Sequence, residues 1–325
     1  MTIFVIRRLM ESIVVLLAMS IAVFVGVYAI GNPVDVLISP EATQAEREQT
    51  MRNLGLDRAL WEQYFFFLRG ALKGELGNSY IHNMPALKLI IQRLPATLEL
   101  SSAAIFIATF LGIPLGLWAG MKPKSVISKS IMGFSILGFS LPTFWVGLMM
   151  ILLFAVNLGW LPASGRGNTT EILGISVSLL TWDGIKHILM PAVNLALHPL
   201  ALIIRLTRSG MMETLLLDFV KFARAKGLTN KRVIMIHVLK NILIPIVTVV
   251  GLQFGTLLAF AVVTESIFAW PGMGKLIIDS INLLDRPIIV AYLLITVLMF
   301  IVINLVIDIL YSVLDPRVRL GGAEE

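Results

Sequence analysis

The sequence predicts an all-α integral membrane protein with six transmembrane helices and both termini cytoplasmic. Composition carries the class: 57% of the 325 residues are hydrophobic and only 14% are charged, with a mean hydropathy of +0.89, which is outside the range of soluble domains. Uncharged runs long enough to cross about 30 Å of hydrocarbon, or roughly 20 helical residues, recur six times along the chain. Cysteine is absent, which excludes disulfides, thiolate catalysis and cysteine-based metal sites.

The first run, Ser12 to Val34, follows the pair Arg7-Arg8. It is longer than a signal-peptide core and no small-x-small site follows it, so an uncleaved first helix is expected. The others are Leu100 to Met121, Ser130 to Gly165 with its end near Asn157, His187 to Ile204, Asn241 to Thr264, and Pro287 to Ile307. With the N-terminus inside, the inner segments 1–8, 121–130, 205–240 and 313–325 hold 15 of the 26 Lys and Arg residues, which favours that orientation. The expected organisation is a tail and first helix over 1–34, an extracytoplasmic helical segment over 35–97, a five-helix core over 98–315 with a cytoplasmic loop at 205–240, and a tail over 316–325.

The 35–97 segment carries helix punctuation. Ser39-Pro40-Glu41 reads as an N-cap followed by proline at the first helical position, and Gly55 as a stop. Asp57 then caps a second amphipathic helix whose Leu60, Tyr64, Phe67 and Leu68 share a face, with Gly74 past its end. It covers the bundle, or it forms part of a platform for an external partner.

In the second run Gly112, Gly116 and Gly120 recur every fourth residue, so three missing side chains fall on one face and permit close helix contact in lipid. Pro114 and Pro142 mark candidate bends. The fourth run holds His198, either a proton-relay or ligand group, or a neutral imidazole bonded to a carbonyl. Glu265 ends the fifth run, as a pore or helix contact or as a helix-end charge facing water. Asp308 lies near the cytoplasmic boundary, where pairing or capping suits it.

Asp218 to Pro245 is basic and helix-compatible, and it lies between two apolar runs. Its first helix is expected from near Arg208 to Lys226, with a stop at Gly227 and a restart after Thr229 or Asn230. Ala223, Ala225 and Gly227 alternate with the cations Lys221, Arg224 and Lys226, a surface on which a partner approaches closely under attraction. Helix, turn and helix superficially suggest a DNA-binding unit, but the position between membrane spans argues against nucleic acid. Anchoring to anionic lipid suits Arg205, Arg208 and Lys240 and leaves the small-residue spacing unexplained. No catalytic constellation is present: Gly272-Met273-Gly274-Lys275 has Leu276 where a phosphate loop needs Ser or Thr and Ala269 where it needs glycine, and neither HExxH nor GxSxG occurs.

The run Ala223-Arg224-Ala225-Lys226-Gly227-Leu228, with His237, Asn241 and Pro245 beyond it, closely resembles the coupling loop of ABC importer permeases, in the branch handling di- and oligopeptides, nickel and related solutes. Relative to the broader pattern of these permeases, Ala223, Gly227 and Leu239 are kept, whereas Lys221, Phe222, His237 and Lys240 depart in the manner of that branch. The resemblance continues through Leu54-Gly55-Leu56-Asp57, Gly74-Glu75-Leu76-Gly77-Asn78-Ser79, Arg93-Leu94-Pro95-Ala96-Thr97-Leu98-Glu99-Leu100, Leu161-Pro162-Ala163-Ser164-Gly165, Thr264-Glu265-Ser266-Ile267-Phe268 and Asp315-Pro316-Arg317, as in the first of two paired permeases.

The resemblance implies a type I ABC importer permease fold in the bacterial cytoplasmic (inner) membrane. It also implies three kinds of partner: a second homologous permease, two cytoplasmic ABC ATPases and an extracytoplasmic solute-binding protein. ATP and Mg²⁺ belong to the ATPases and no cofactor to this chain. Lys221, Ala223, Arg224, Ala225, Lys226, Gly227, Leu228 and His237 form the expected ATPase contact, the small residues giving shape and Arg224 and Lys226 electrostatic complementarity. Trp270-Pro271-Gly272-Met273-Gly274 forms an outer loop near the pore or the binding protein, or a turn that only connects spans. The solute is a dipeptide, a longer peptide, glutathione or a nickel complex. The alternative is a proton-coupled secondary transporter, which requires an intramembrane relay from His198, Glu265 and Asp308.

Overall fold

The structure is a computed structural model that describes residues 2–28, 34, 38, 42–53 and 55–314, the side chains of 2–9, 27–28 and 308–314 excepted. Ser39-Pro40-Glu41, Asp315-Pro316-Arg317 and the 316–325 tail lie outside the described residues, as does the side chain of Asp308.

In chain order the helices are α1 (Thr2–Tyr28), α2 (Gln44–Asn53), α3 (Leu60–Ala71), α4 (Ala86–Met121), α5 (Val126–Ser140) and α6 (Thr143–Asn157, π-helical over Ile151–Asn157). A hairpin of β1 (Thr170–Ile172) and β2 (Ile175–Val177) precedes α7 (Trp182–Thr214) and α8 (Asp218–Ala225). Then come α9 (Asn230–Phe260, π-helical over Val233–Val238), α10 (Val262–Ile267), α11 (Met273–Asn282) and α12 (Arg286–Leu314). Among the described residues α4, α7, α9 and α12 are long and apolar enough to cross a membrane, and α5 with α6 forms an apolar pair bent by 105°. An apolar stretch of α1 covers Met10–Gly26.

Several boundaries differ from expectation. Helix α4 begins at Ala86, takes in Arg93, Leu94 and Pro95 ahead of the expected run Leu100 to Met121, and reaches about 54 Å. It also runs unbroken through Pro114, whereas Pro142 does stand at a break. The helix after α1 has Thr43 at its start: Glu46 N–H donates to the Thr43 hydroxyl at 3.4 Å, and Thr43 N–H donates to the Glu46 carboxylate at 2.8 Å. This is a reciprocal capping box. The backbone bond from Thr43, then the hydroxyl bond, holds the Glu46 carboxyl below the usual carboxylate range. Asp57 caps nothing, since α3 starts after Ala59.

The chain divides into two compact units. In the unit of Met1–Thr97 and Ala269–Ile301, α3 packs on α1: the Tyr64 hydroxyl lies 2.9 Å from the Ser20 hydroxyl, and Phe24 meets Tyr64 edge-on at 5.4 Å. Leu60 is exposed instead of sharing that face. Buried Asp285 accepts the Ser79 hydroxyl and the Tyr80 N–H, tying the turn before α4 to the start of α12.

In the unit of Leu98–Phe268 and Val302–Glu325, α7 is the hub: 61% of its apolar window is buried, against 33% for α4 and 22% for α9. The four-residue glycine repeat of α4 faces it. A side chain at Gly112 would come within 2.8 Å of Ile203, one at Gly116 within 2.5 Å of Thr207, and one at Gly120 within 2.7 Å of Met211, so only bare backbone admits α7 this closely. The 158–181 segment is fastened by Glu99, 6% exposed at its side chain, which accepts Arg166 Nε at 3.0 Å, Arg166 Nη2 at 2.6 Å, Ser178 N–H at 2.6 Å and Leu179 N–H at 2.8 Å. The hairpin in this segment was not expected. It turns at Leu173 and Gly174, both at positive φ, as a tight two-residue hairpin turn requires.

Gly116→Val is expected to lower the melting temperature in detergent, at a cost of about 1–3 kcal/mol for overpacking; an unchanged melt contradicts the seam. Glu99→Ala leaves the Arg166 guanidinium, 12% exposed, without its carboxylate, a loss of about 3–5 kcal/mol, and is expected to open the 158–181 segment to limited proteolysis. Wild-type cleavage kinetics contradict that role.

Candidate functional site

Helix α7 runs on to Thr214 and breaks at Leu215–Leu217 before α8, so the helix expected from Arg208 to Lys226 is two helices. The break lets α8 turn its apolar face inward. Val220 and Ala223 are buried in a cluster with Met211, Leu117, Val233, Val238, Ile242 and Ile246, with Leu228 packed against it. Ala223, expected to shape the partner contact, is 6% exposed and serves this chain's own packing.

The end of α8 follows a defined backbone pattern. Leu228 N–H donates to Ala223 O at 3.3 Å, Gly227 N–H donates to Arg224 O at 2.9 Å, and Gly227 has φ +78°. These are the paired bonds of a helix stop that wants glycine at the left-handed position, with Leu228 supplying its apolar contact. A side chain at Gly227 would meet nothing within 4 Å. Glycine is therefore required by backbone conformation and not by close approach within the chain.

The outward face carries Phe222 at 61% exposure, Phe219 at 39%, and exposed Lys221, Arg224, Ala225, Lys226 and Gly227. Lys221 Nζ bonds Asp218 at 2.9 Å. Lys226 Nζ sits 4.5 Å over the Phe222 ring, which holds an ammonium and an aromatic face as one unit. His237 is half-buried in the π-helical turn of α9. The aromatic pair and the anchor Val220 were missed in the sequence, although the helical spacing Phe219, Phe222, Lys226 against Val220, Ala223 was readable as two faces.

The Trp270–Gly274 loop is largely internal. Trp270 is fully buried and donates Nε1–H to Ala96 O at 2.9 Å, and Met273 N–H donates to Thr97 Oγ1 at 2.8 Å. Ala269 takes φ +46° to bring the indole under. Only Pro271 and Lys275 stay half-exposed, beside a cleft of about 330 Å³ with Arg93, His82 and Asp279.

Two isolated candidates change character. Glu265 is fully buried, not a helix-end charge facing water, because the chain turns at Ala261 and α10 packs on α6 and α7. Next to it, Asn194 Nδ2–H donates to Thr264 Oγ1 at 3.2 Å. His198 is exposed and stacks on Phe139 at 4.3 Å instead of bonding a carbonyl. Among the described residues no group of three or more His, Asp or Glu could hold a metal.

Residues 112–320 match the family described as binding-protein-dependent transport system inner membrane component, and residues 1–101 match its N-terminal counterpart. The chain is 38% identical to the dipeptide transport system permease protein DppB of Escherichia coli K12, over 97% of this chain and 98% of that protein. It is 38% identical to the oligopeptide transport system permease protein AppB of Bacillus subtilis 168, over 98% and 100%. The glutathione transport system permease protein GsiC of Escherichia coli O6:H1 is 34% identical, over 97% and 98%. In fold it is similar to the inward-facing MetNI methionine ABC transporter, with TM-score 0.54 at 15% identity over 70% of this chain and 97% of that one. The chain thus belongs to the inner-membrane components of binding-protein-dependent transport systems: it is a multi-pass permease subunit of a bacterial ABC importer, and ATP hydrolysis and solute capture reside in separate ATPase and binding-protein partners.

Proposed function

We propose that this chain pairs with a second, homologous permease to import di- or oligopeptides, with six spans and both termini cytoplasmic. Two ATPases dock at 218–240 and a solute-binding protein delivers from the opposite side. The peptide assignment is supported by identity over nearly the full length to permeases named for dipeptides and oligopeptides, and the orientation by the cation distribution.

The observation that carries the coupling assignment is the two-faced α8. Its inner face, Val220 and Ala223, is locked to the ends of α7 and α9. Its outer face offers Phe222, Arg224 and Lys226. An apolar pocket rimmed by carboxylates on each ATPase fits that face: the aromatic side chain supplies desolvated contact area at the centre, and the cations steer and register the encounter. Closure of the ATPases then moves α8 as a rigid lever, because its fixed stop at Gly227 prevents the contact from fraying. Lys221, Ala225, Leu228 and His237 flank or support this contact. ATP and Mg²⁺ stay with the ATPases, and the Trp270–Gly274 loop anchors its own unit more than it offers a surface.

The docking assignment separates two kinds of substitution. Phe222→Ala is expected to weaken ATPase co-purification about tenfold or more, the loss of a central interface anchor, with the permease melt unchanged. Gly227→Asn, which tolerates the left-handed conformation, is expected to keep uptake, whereas Gly227→Val loses it through about 1–2 kcal/mol of backbone strain. Uptake needs internal ATP and the binding protein; uptake that runs on a proton gradient alone contradicts the assignment.

A further inference from the structure

From Met190 to Arg208, along the most buried of the spanning helices, His198 is the one exposed residue. It does not open onto a plain apolar face. Its imidazole stacks on Phe139 at 4.3 Å and 27°, and the Arg205 guanidinium lies over the same ring, its central carbon 4.8 Å from the centroid. Imidazole, phenyl and guanidinium therefore share one position at the wall of the bundle. Arg205 forms no ion pair among the described residues, and its buried Nε has no hydrogen-bond partner. Arg205 is the first residue of α7 past the uncharged run His187 to Ile204, towards the proposed cytoplasmic end of the span, where an unpaired guanidinium reaches water or an anion.

A second observation is the broken pair of helices beside the stack. Phe139 is the penultimate residue of α5, and the bent pair α5 and α6 turns through 105° just beyond it. Irregular backbone at membrane depth is tolerated where protein buries it or where it lines a cavity, and broken helices mark solute sites in transporters. The described residues do not bury the break: Phe139, Phe144 and Trp145 are 43%, 52% and 45% exposed.

We propose that His198, Phe139 and Arg205 form a low-affinity station in the translocation path that takes the C-terminal carboxylate of the passing peptide. This rests on the peptide assignment above. The planar guanidinium accepts a carboxylate in a forked geometry, the ring beneath it fixes its orientation through a cation–π contact, and the imidazole adds a donor alongside. Half-exposed cations bind such groups weakly, which suits a group that must let go. The chemistry recognised is an oxyanion, and a lipid phosphate is the other source of one.

The absence of cysteine makes the test direct. In the assembled transporter, His198→Cys is treated with water-soluble anionic and cationic methanethiosulfonates, and modification of this chain is read by mass. The anionic reagent is expected to react about tenfold faster, relative to its rate on a free thiol, because Arg205 sets a positive local potential. Arg205→Gln is expected to abolish the preference and Arg205→Lys to keep it. Dialanine is expected to slow the reaction, and C-terminally amidated dialanine is not. Ser140→Cys at the break repeats the measurement with the stack intact, should His198→Cys not assemble. A thiol inert to both reagents, equal rates, or a preference that survives Arg205→Gln overturns the proposal. So does slowing by phosphatidylglycerol vesicles and not by dialanine, which assigns the site to lipid. If the wild-type transporter with its binding protein takes up no dialanine, the peptide assignment fails even where the anion preference persists.

Discussion

Met211 is the side chain on which the rest of this permease turns. It is fully buried near the end of α7, in the notch that Gly120 leaves on α4, and it packs in one cluster with Val220 and Ala223 of α8 and Val238 of α9. An eight-residue helix has no standing of its own in water, since nucleation is unfavourable and too few bonds follow it. Helix α8 therefore holds its shape and aim only through that cluster. What the cluster fixes, the exposed face of Phe222, Arg224 and Lys226 inherits.

The same helix hub explains the division of labour along α7. Where α4 is stripped to glycine, α7 approaches closely and Ile203, Thr207 and Met211 fill the space. Where α7 ends, its last residues carry α8. At one place in between, His198 opens beside a broken pair of helices. Interiors that pack this densely deform as rigid pieces and not continuously, so under the proposed coupling role a push on α8 reaches the glycine seam through the cluster around Met211. The Glu99–Arg166 clamp makes the segment before α7 similarly stiff.

Much of this architecture is legible in the sequence because its signals are local. The apolar runs fall on α1, α4, the bent α5 and α6, α7, α9 and α12; the glycine repeat marks the α4 seam; Gly227 marks a helix stop. What is not legible depends on residues far apart in the chain. Nothing in Thr214-Leu215-Leu216-Leu217 announces a break, since leucine is a good helix former; the turn exists because Val220 and Ala223 gain a buried site by it. Glu99 meets Arg166 across 67 positions, and Glu265 looks like a helix-end charge until α10 folds it inward. Ala223 and Gly227 look alike as small residues of a docking surface, yet one is buried packing and the other a backbone requirement. Only the environment separates them.

If α8 works through Met211, shortening that side chain must separate ATP consumption from transport. The direct measurement is peptide taken up per ATP hydrolysed in proteoliposomes carrying Met211→Ala, with assembly of the ATPases checked by co-purification. The expected result is continued hydrolysis with uptake per ATP reduced about fivefold, the scale of a coupling loss of roughly 1 kcal/mol. Wild-type stoichiometry in an assembled Met211→Ala transporter would contradict the mechanical role of this junction.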